Sequence, residues 1–190
     1  MKIRESGMPE ENLWNNFFNI ELICNQLQIN SEIKNVVEIG CGYGTFTIPV
    51  SKLISGKIYA FDLEKDMISI VRDKVINQKI ENIELFEKDV LKDKIHLSNN
   101  SVEYVMMFNI LHHEKPEEII DEAYRILKKN GKLGIIHWRS DIETPRGPSL
   151  NIRPKPKQMS ELFKNFAFSI IKNPFIIEPF HYGILLEKIK

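Results

Sequence analysis

From about residue 35 to residue 139, short apolar segments typical of β-strands alternate with segments whose apolar residues recur at helical spacing. Five strands are predicted in this stretch, at 35–40, 57–63, 83–90, 102–110 and 132–139. Because helical segments separate them, these strands are expected to run parallel. Two later candidates, 168–177 and 181–189, are close enough along the chain to pair antiparallel. The alternation therefore predicts an α/β fold with a mainly parallel sheet.

Helices are expected before and between these strands, at 10–27, 45–54, 65–77, 116–129 and 158–165. The helix at 116–129 has the clearest signals, because Pro116 opens it and Asn130-Gly131 follows it. With 190 residues we expect a single domain, in which 1–35 form a helical cap and 36–190 form the α/β core. Four prolines between residues 140 and 157 predict an irregular segment, called the proline-rich loop below.

Charge and composition disfavour several classes of protein. The 26 basic residues balance the 26 acidic ones, so no long-range field would attract nucleic acid or an anionic membrane. No apolar run is long enough to span a bilayer, and the first residues lack the apolar core of a signal peptide. We therefore expect a cytoplasmic protein with no nucleic-acid or membrane partner. Cys24 and Cys41 are the only cysteines, and their spacing predicts neither a metal site nor a disulfide framework.

The first predicted strand runs directly into three glycines, in the sequence V-V-E-I-G-C-G-Y-G at residues 36–44. Gly40, Gly42 and Gly44 allow the backbone to approach a ligand closely, and the following helix presents unpaired N–H groups. In an open α/β sheet, ligands bind at the carboxyl ends of the strands where the strand order reverses. The turn indicates a nucleotide-like ligand, with a plain loop as the alternative.

Polar residues also follow the next three predicted strands. Asp62 ends the second strand, 22 positions after Gly40, where a carboxylate is placed to accept from both hydroxyls of a ribose. Asp89 and Val90 end the third strand, where the acid suits an exocyclic amine and the valine suits an adenine face. Asn109 ends the fourth. Each residue alone also suits a cap, a turn or a strand end, but together they predict one ligand site.

These motifs resemble those of the class I S-adenosylmethionine-dependent methyltransferases, from about residue 36 to the C-terminus. Gly40-Cys41-Gly42-Tyr43-Gly44, with Glu38 two residues upstream, is similar to the first motif of that family, whereas dinucleotide dehydrogenases usually have G-x-G-x-x-G. Acids after the second and third strands and the segment L-K-K-N-G-K-L also match. The resemblance implies a Rossmann-like doubly wound sheet of seven strands, mainly parallel, with an antiparallel C-terminal strand. It also implies S-adenosyl-L-methionine as the cofactor.

The resemblance assigns roles to individual residues. Glu38 and the backbone of the glycine turn would arrange the methionine end, Asp62 the ribose, and Asp89 with Val90 the adenine. The residues expected to bind the cofactor are Glu38, Gly40, Cys41, Gly42, Tyr43, Gly44, Asp62, Leu63, Asp89, Val90 and Asn109. Aromatic residues of the cap and turn would close over the cofactor or belong to the core; these are Trp14, Phe17, Phe18 and Tyr43.

Methyl transfer requires mainly that the acceptor atom be held close to the methyl group, so no catalytic triad is needed. His112 and His113 follow the fourth strand and are the candidates for an acid or base, with a purely structural pair as the alternative. His137 and Arg139 leave the fifth strand on the same edge, where they would bind an anionic acceptor or, for Arg139, remain in solvent.

No large insertion separates the late strands, so the acceptor pocket would be built from the cap and the proline-rich loop, which favours a small-molecule acceptor. The function predicted is therefore transfer of a methyl group to a small molecule. Two alternatives stay open: a non-catalytic S-adenosylmethionine-binding or protein-interaction module, and an NAD-type oxidoreductase. The sequence does not indicate the oligomeric state.

Overall fold

The computed structural model describes residues 7–190, and its centre is a seven-stranded sheet in the order β3-β2-β1-β4-β5-β7-β6. The strands are β1 (Asn35–Ile39), β2 (Lys57–Asp62), β3 (Ile83–Glu87), β4 (Val102–Phe108), β5 (Leu127–Trp138), β6 (Phe168–Ile177) and β7 (His181–Lys188). Strands β1 to β5 are parallel to one another, and β7 pairs antiparallel with both β5 and β6. The predicted fold class and the antiparallel C-terminal strand are confirmed.

Seven α-helices connect or flank these strands in the described part of the chain. They are α1 (Glu11–Asn15), α2 (Ile20–Gln26), α3 (Thr47–Leu53), α4 (Lys65–Asn77), α5 (Val90–Asp93), α6 (Pro116–Ile126) and α7 (Pro156–Leu162). Both faces of the sheet are covered, so the side chains of β4 alternate between two apolar clusters: Val105 and Met107 on one face, Tyr104 and Met106 on the other. No helix among residues 7–190 is long and apolar enough to cross a membrane.

The predicted helix at 10–27 is wrong in one respect, since it is two short helices. Asn19 is the N-cap of α2, and its side-chain oxygen accepts from the N–H of Leu22 at 3.1 Å. Phe17 and Phe18 are both buried. Two consecutive residues of a continuous helix point about 100° apart, so the break lets both rings enter the core.

Several boundaries also differ from the sequence-based expectations. Helix α6 ends at Ile126 because Leu127 is fully buried and already pairs with Val102 of β4. Asn130, with φ of +63°, lies where the register between β4 and β5 shifts, so Asn130-Gly131 forms an irregularity within β5 instead of a helix end. Strand β3 ends at Glu87, and Asp89 is the N-cap of α5.

The proline-rich loop contains one 3-10 turn, Leu150–Ile152, and α7 begins at Pro156 within it. The predicted helix at 158–165 is α7 followed by a second 3-10 turn, Phe163–Asn165. Strands β1 and β4 are neighbours although β2 and β3 lie between them in the chain, so the strand order reverses between β1 and β4. A ligand site is therefore expected at their carboxyl ends.

Candidate cofactor and acceptor site

An open cleft lies at the carboxyl ends of β1, β2 and β4, with an empty volume of about 1320 Å³ that includes space open to solvent. The glycine turn, the ends of these strands, α5 and parts of the cap and the proline-rich loop line it. Nine of the predicted cofactor-binding residues line this cleft: Glu38, Gly40, Cys41, Gly42, Asp62, Leu63, Asp89, Val90 and Asn109. The structure thus gathers residues from four strand ends around one space.

Tyr43 and Gly44, also predicted to bind the cofactor, do not line the cleft. The Tyr43 hydroxyl donates to the carbonyl of Pro9 at 2.9 Å, and its own carbonyl accepts from Lys74 Nζ at 2.7 Å. Both residues line a separate surface depression beside α3 and α4. Tyr43 therefore ties the glycine turn to the cap and to α4.

The glycine turn has backbone geometry that only glycine adopts readily. Gly40 and Gly42 have φ values of +81° and +51°, and a Cβ added to Gly40 would lie 2.9 Å from Cγ2 of Ile110. The N–H groups of Gly40 and Cys41 both donate to the carbonyl of Phe61, at 2.8 and 3.0 Å. The turn is thereby held against the end of β2.

Asp62 is the last residue of β2, and its carboxylate organises two loops. Oδ2 accepts from the N–H of Gly42 at 2.8 Å, and Oδ1 accepts from the N–H of Glu64 at 2.9 Å. Burial raises the pKa of Asp62, and these two backbone hydrogen bonds oppose the increase. Each carboxylate oxygen can accept more than one hydrogen bond, so capacity is left for ligand hydroxyls.

Glu38 is a buried carboxyl at the floor of the cleft, 2% exposed. Oε2 accepts from the Thr47 hydroxyl at 2.5 Å, at the first turn of α3. Burial raises the pKa of Glu38 to about 8, while the hydrogen bond from Thr47 acts in the opposite direction. Glu38 therefore holds a proton near neutral pH until a cation is placed beside it. No sequence pattern marks Thr47, since a threonine in a first helical turn is common.

Asp89 lines the cleft and is the N-cap of α5. Its Oδ1 accepts from the N–H groups of Leu91 and Lys92, at 3.1 and 3.3 Å. The cap that the sequence left open as an alternative is therefore present, and it directs Val90 and Leu91 to the cleft wall. Leu63, directly after β2, also lines the cleft and is 42% exposed. Two apolar side walls thus flank this end of the cleft.

Asn109 follows β4 with a φ of +58°. Its backbone N–H donates to the carbonyl of Ile136 at 2.8 Å, but both polar atoms of its side chain are buried and have no hydrogen-bond partner among residues 7–190. Most buried polar atoms in proteins are paired, so an unpaired amide in a cleft wall indicates a position for a ligand.

His112 and His113 are 5% and 4% exposed and both line the cleft. Nδ1 of His112 lies 3.3 Å from Nε2 of His137, and Nδ1 of His113 accepts from the N–H of Lys115 at 3.0 Å. His137 is fully buried and does not line the cleft. His137 therefore contacts His112 behind the cleft and is not placed to bind an anion in it, as the sequence had suggested.

Arg139 is likewise turned away from the cleft. Its guanidinium makes a two-point contact with Asp141, with distances of 3.1 and 3.0 Å. This pairing leaves the acceptor side without the anion-binding arginine that the sequence suggested. Among the described residues, no group of three or more His, Cys, Asp or Glu side chains is placed to hold a metal ion.

Aromatic rings line another part of the cleft. Trp14, Phe46, Phe108 and Trp138 line this part, together with Pro148 of the proline-rich loop. Phe17 and Phe18 are absent from the lining, so of the cap aromatics only Trp14 reaches the cleft. Phe17 and Phe18 pack in the core, where Phe18 lies 5.0 Å from Phe46 between ring centroids.

Arg153 fastens the proline-rich loop to this aromatic wall. Its buried guanidinium donates to the carbonyls of Pro148 and Arg139, at 2.7 and 2.9 Å, and to the Thr144 hydroxyl at 2.7 Å. It also lies 5.5 Å from the Trp138 ring centroid. No sequence pattern marks this arginine, because its partners are mainly backbone carbonyls brought together by the fold.

Charge is confined to one end of the cleft. The described lining carries five carboxyl or amino side chains, which are Glu38, Asp62, Glu64, Lys88 and Asp89. Glu38 lies on β1, Asp62 ends β2, and the other three follow β2 or β3. The aromatic end carries two histidines and no other ionisable side chain in the described lining. The cleft therefore has a polar end and an apolar end in one continuous space.

Comparison with known proteins identifies the family of the chain. The family model described as "Methyltransferase domain" matches residues 36–131, which is half of the chain. A ribosomal protein L11 methyltransferase of Streptococcus pyogenes is 32% identical over 113 residues, covering 57% of this chain and 34% of that protein. A demethylmenaquinone methyltransferase of a Geobacillus species is 25% identical over 103 residues, covering 53% and 43%.

A solved structure, described as a SAM-dependent methyltransferase from Aquifex aeolicus, has the same fold. Its TM-score is 0.83 with 20% identity, and the match covers 95% of this chain and 94% of that one. The chain spans from about one third to two thirds of the length of the curated relatives it matches first. On the family match and this fold, the chain belongs to the class I S-adenosylmethionine-dependent methyltransferases, whose methyl donor is S-adenosyl-L-methionine.

Proposed function

We propose that this chain transfers a methyl group from S-adenosylmethionine to a small, uncharged and largely apolar acceptor. One observation carries the proposal: the carboxylates and the unpaired Asn109 amide share a single cleft with an aromatic wall and two histidines. The polar end suits a cofactor with a ribose and an amino acid group. The apolar end suits an aromatic or hydrophobic partner.

The polar end fits the cofactor at several points. Glu38 would receive the cationic amino group, Asp62 the ribose hydroxyls, and Asn109 a polar group of the ligand that satisfies its buried amide. Asp89 and Val90 would flank the adenine. Gly40 lines the cleft, and a Cβ added there would lie 2.9 Å from Cγ2 of Ile110, so this position favours glycine. When bound, the cofactor supplies an electrophilic methyl group on a cationic sulfur.

The apolar end supports a small acceptor. Trp14 and Trp138 have ring centroids 6.0 Å apart, and both line the cleft. Flat apolar walls stabilise a ring-containing ligand by burying its surface, at about 25 cal/mol per Å². Because Trp14 belongs to the cap, we also propose that the cap and the core act as one domain.

The relatives leave two acceptor classes to separate. One is named for demethylmenaquinone and the other for ribosomal protein L11. The aromatic lining at the apolar end favours the small-molecule class for this chain, since a protein side chain presented by a large partner would not require four aromatic rings around it.

The experiment incubates the purified chain with methyl-labelled S-adenosylmethionine and host-cell extract separated into small-molecule, protein and RNA fractions. We expect label in the small-molecule fraction. Label confined to protein or RNA would contradict the small acceptor, and cofactor binding with no label in any fraction would indicate a non-catalytic module. Two variants serve as matched controls: Asp62→Ala should weaken cofactor binding, whereas Trp14→Leu should retain it and reduce transfer.

A further inference from the structure

Three groups form a hydrogen-bonded series behind the apolar end of the cleft. The backbone carbonyl of Trp138 lies 3.3 Å from Nδ1 of His137, and Nε2 of His137 lies 3.3 Å from Nδ1 of His112. His137 is fully buried, and His112 lines the cleft. The series therefore leads from a fixed backbone group to a side chain at the ligand site.

The carbonyl at one end determines where each proton lies. A carbonyl oxygen only accepts, so Nδ1 of His137 carries a proton. Burial lowers the pKa of His137 well below its usual value, and the nearby His112 acts in the same direction. A neutral ring has one N–H, so Nε2 of His137 is an acceptor and Nδ1 of His112 is the donor to it. A neutral His112 then has its lone pair on Nε2.

His113 has the opposite arrangement. Its Nδ1 accepts from the N–H of Lys115 at 3.0 Å, so a neutral His113 carries its proton on Nε2. That atom is buried and has no hydrogen-bond partner in the described part of the chain. The two neighbouring histidines are therefore not equivalent: the hydrogen bonds make His113 a donor and His112 an acceptor.

We propose that His137 is a positioning residue that fixes His112 in the tautomer with an unprotonated Nε2, and that His112, not His113, is the base of the methyl transfer. This inference rests on the proposed function. For an O–H or N–H acceptor, the heteroatom forms a bond to the methyl carbon and the carbon–sulfur bond breaks with its electron pair on sulfur. The proton released by the heteroatom goes to Nε2 of His112.

The tautomers are measurable without an acceptor. Two-bond ¹H–¹⁵N correlation spectra of the ¹⁵N-labelled chain at pH 8, where an imidazole with an ordinary pKa is neutral, distinguish protonated from unprotonated ring nitrogens. The variants His112→Gln and His113→Gln assign the signals. We expect an unprotonated Nε2 for His112 and a protonated Nε2 for His113. A protonated Nε2 in His112, with Nδ1 either unprotonated or protonated, would overturn the proposal. The spectrum of the wild-type chain is sufficient for this test.

Two variants of His137 test its positioning role. Glutamine at this position keeps an oxygen acceptor near the place of Nε2, so His137→Gln should preserve the His112 tautomer. His137→Phe removes the acceptor and should abolish the exclusive protonation of Nδ1. An unchanged His112 tautomer in His137→Phe would overturn the role of His137.

Calorimetric titration with S-adenosylmethionine separates this inference from the function it rests on. If the chain binds the cofactor but Nε2 of His112 is protonated, the base role of His112 is overturned and the proposed function is not. Absence of cofactor binding would overturn the proposed function and, with it, the base role of His112.

Discussion

Replacing Glu38 with glutamine should change how cofactor binding depends on pH. Burial raises the pKa of Glu38 to about 8, so this carboxyl is mostly protonated at pH 7 in the free protein. A cationic amino group beside it would favour the carboxylate, and binding would then release a proton. Glu38→Gln keeps the size of the side chain and an oxygen that accepts from Thr47, but it has no proton to release.

The size of the effect follows from the pKa. Below pH 8, removing the proton from Glu38 costs about 1.4 kcal/mol more for each unit by which the pH falls. Each such unit lowers the affinity by a factor of about ten. If the pKa in the complex lies below 6, the affinity should rise by a factor of about 50 between pH 6 and pH 8 and change little above that. The sign is fixed, because the free protein binds more protons than the complex.

S-adenosylhomocysteine is a suitable ligand, since it retains the amino group and does not react. Calorimetric titrations at pH 6, 7 and 8, in buffers with different ionisation enthalpies, give both the affinity and the number of protons released. The free ligand is the same in both titrations, so the difference between wild type and Glu38→Gln reports Glu38 and its contact with the amino group. Equal pH dependence for the two proteins would refute the protonated Glu38 and its contact with the cofactor.

Three further predictions concern stability. Asp62→Ala removes the acceptor of two backbone N–H groups, so the free energy of unfolding in urea should fall by about 1–3 kcal/mol, and an unchanged value would contradict that role. His181 is a buried imidazole whose pKa burial lowers from 6.5 to about 3. The unfolded chain therefore takes up this proton first, and acid destabilises the wild type. Below pH 6, the free energy of unfolding of His181→Phe should exceed that of the wild type by up to about 1.4 kcal/mol for each further pH unit. The exposed control His96→Gln should show no such gain. Arg153→Lys should speed hydrogen exchange in the proline-rich loop while β1 stays protected, and equal exchange in both proteins would contradict its fastening role.

The sequence contained most of the signals for the cofactor end of the cleft. Glycines with positive φ, a carboxyl within a buried strand and acids at strand ends are local features, and the parallel arrangement brings them to one edge. Helix α4 matches its predicted range of 65–77, because apolar spacing and flanking polar residues agree there. The break before α2 was missed because Phe17 and Phe18 fit a helical pattern until their joint burial is known.

The acceptor end was much harder to predict. Arg153 acts through backbone carbonyls, and the contact between His112 and His137 joins residues 25 positions apart. No spacing of residues in the sequence predicts either contact, because both depend on how the proline-rich loop and β5 pack. Asn130-Gly131 shows that a clear local signal can also mislead. The pair is typical of a helix end, but the burial of Leu127 ends the helix earlier, so the pair lies inside a strand.

A crystal structure of the chain with S-adenosylhomocysteine tests the central claim most directly. We expect the ligand in the cleft, with its ribose hydroxyls within hydrogen-bond distance of Asp62 and its amino group beside Glu38. The Asn109 amide should gain a polar partner, from the ligand or from an ordered water next to it. A ligand bound elsewhere, or bound in the cleft without contact to Asp62 and Glu38, would contradict the account.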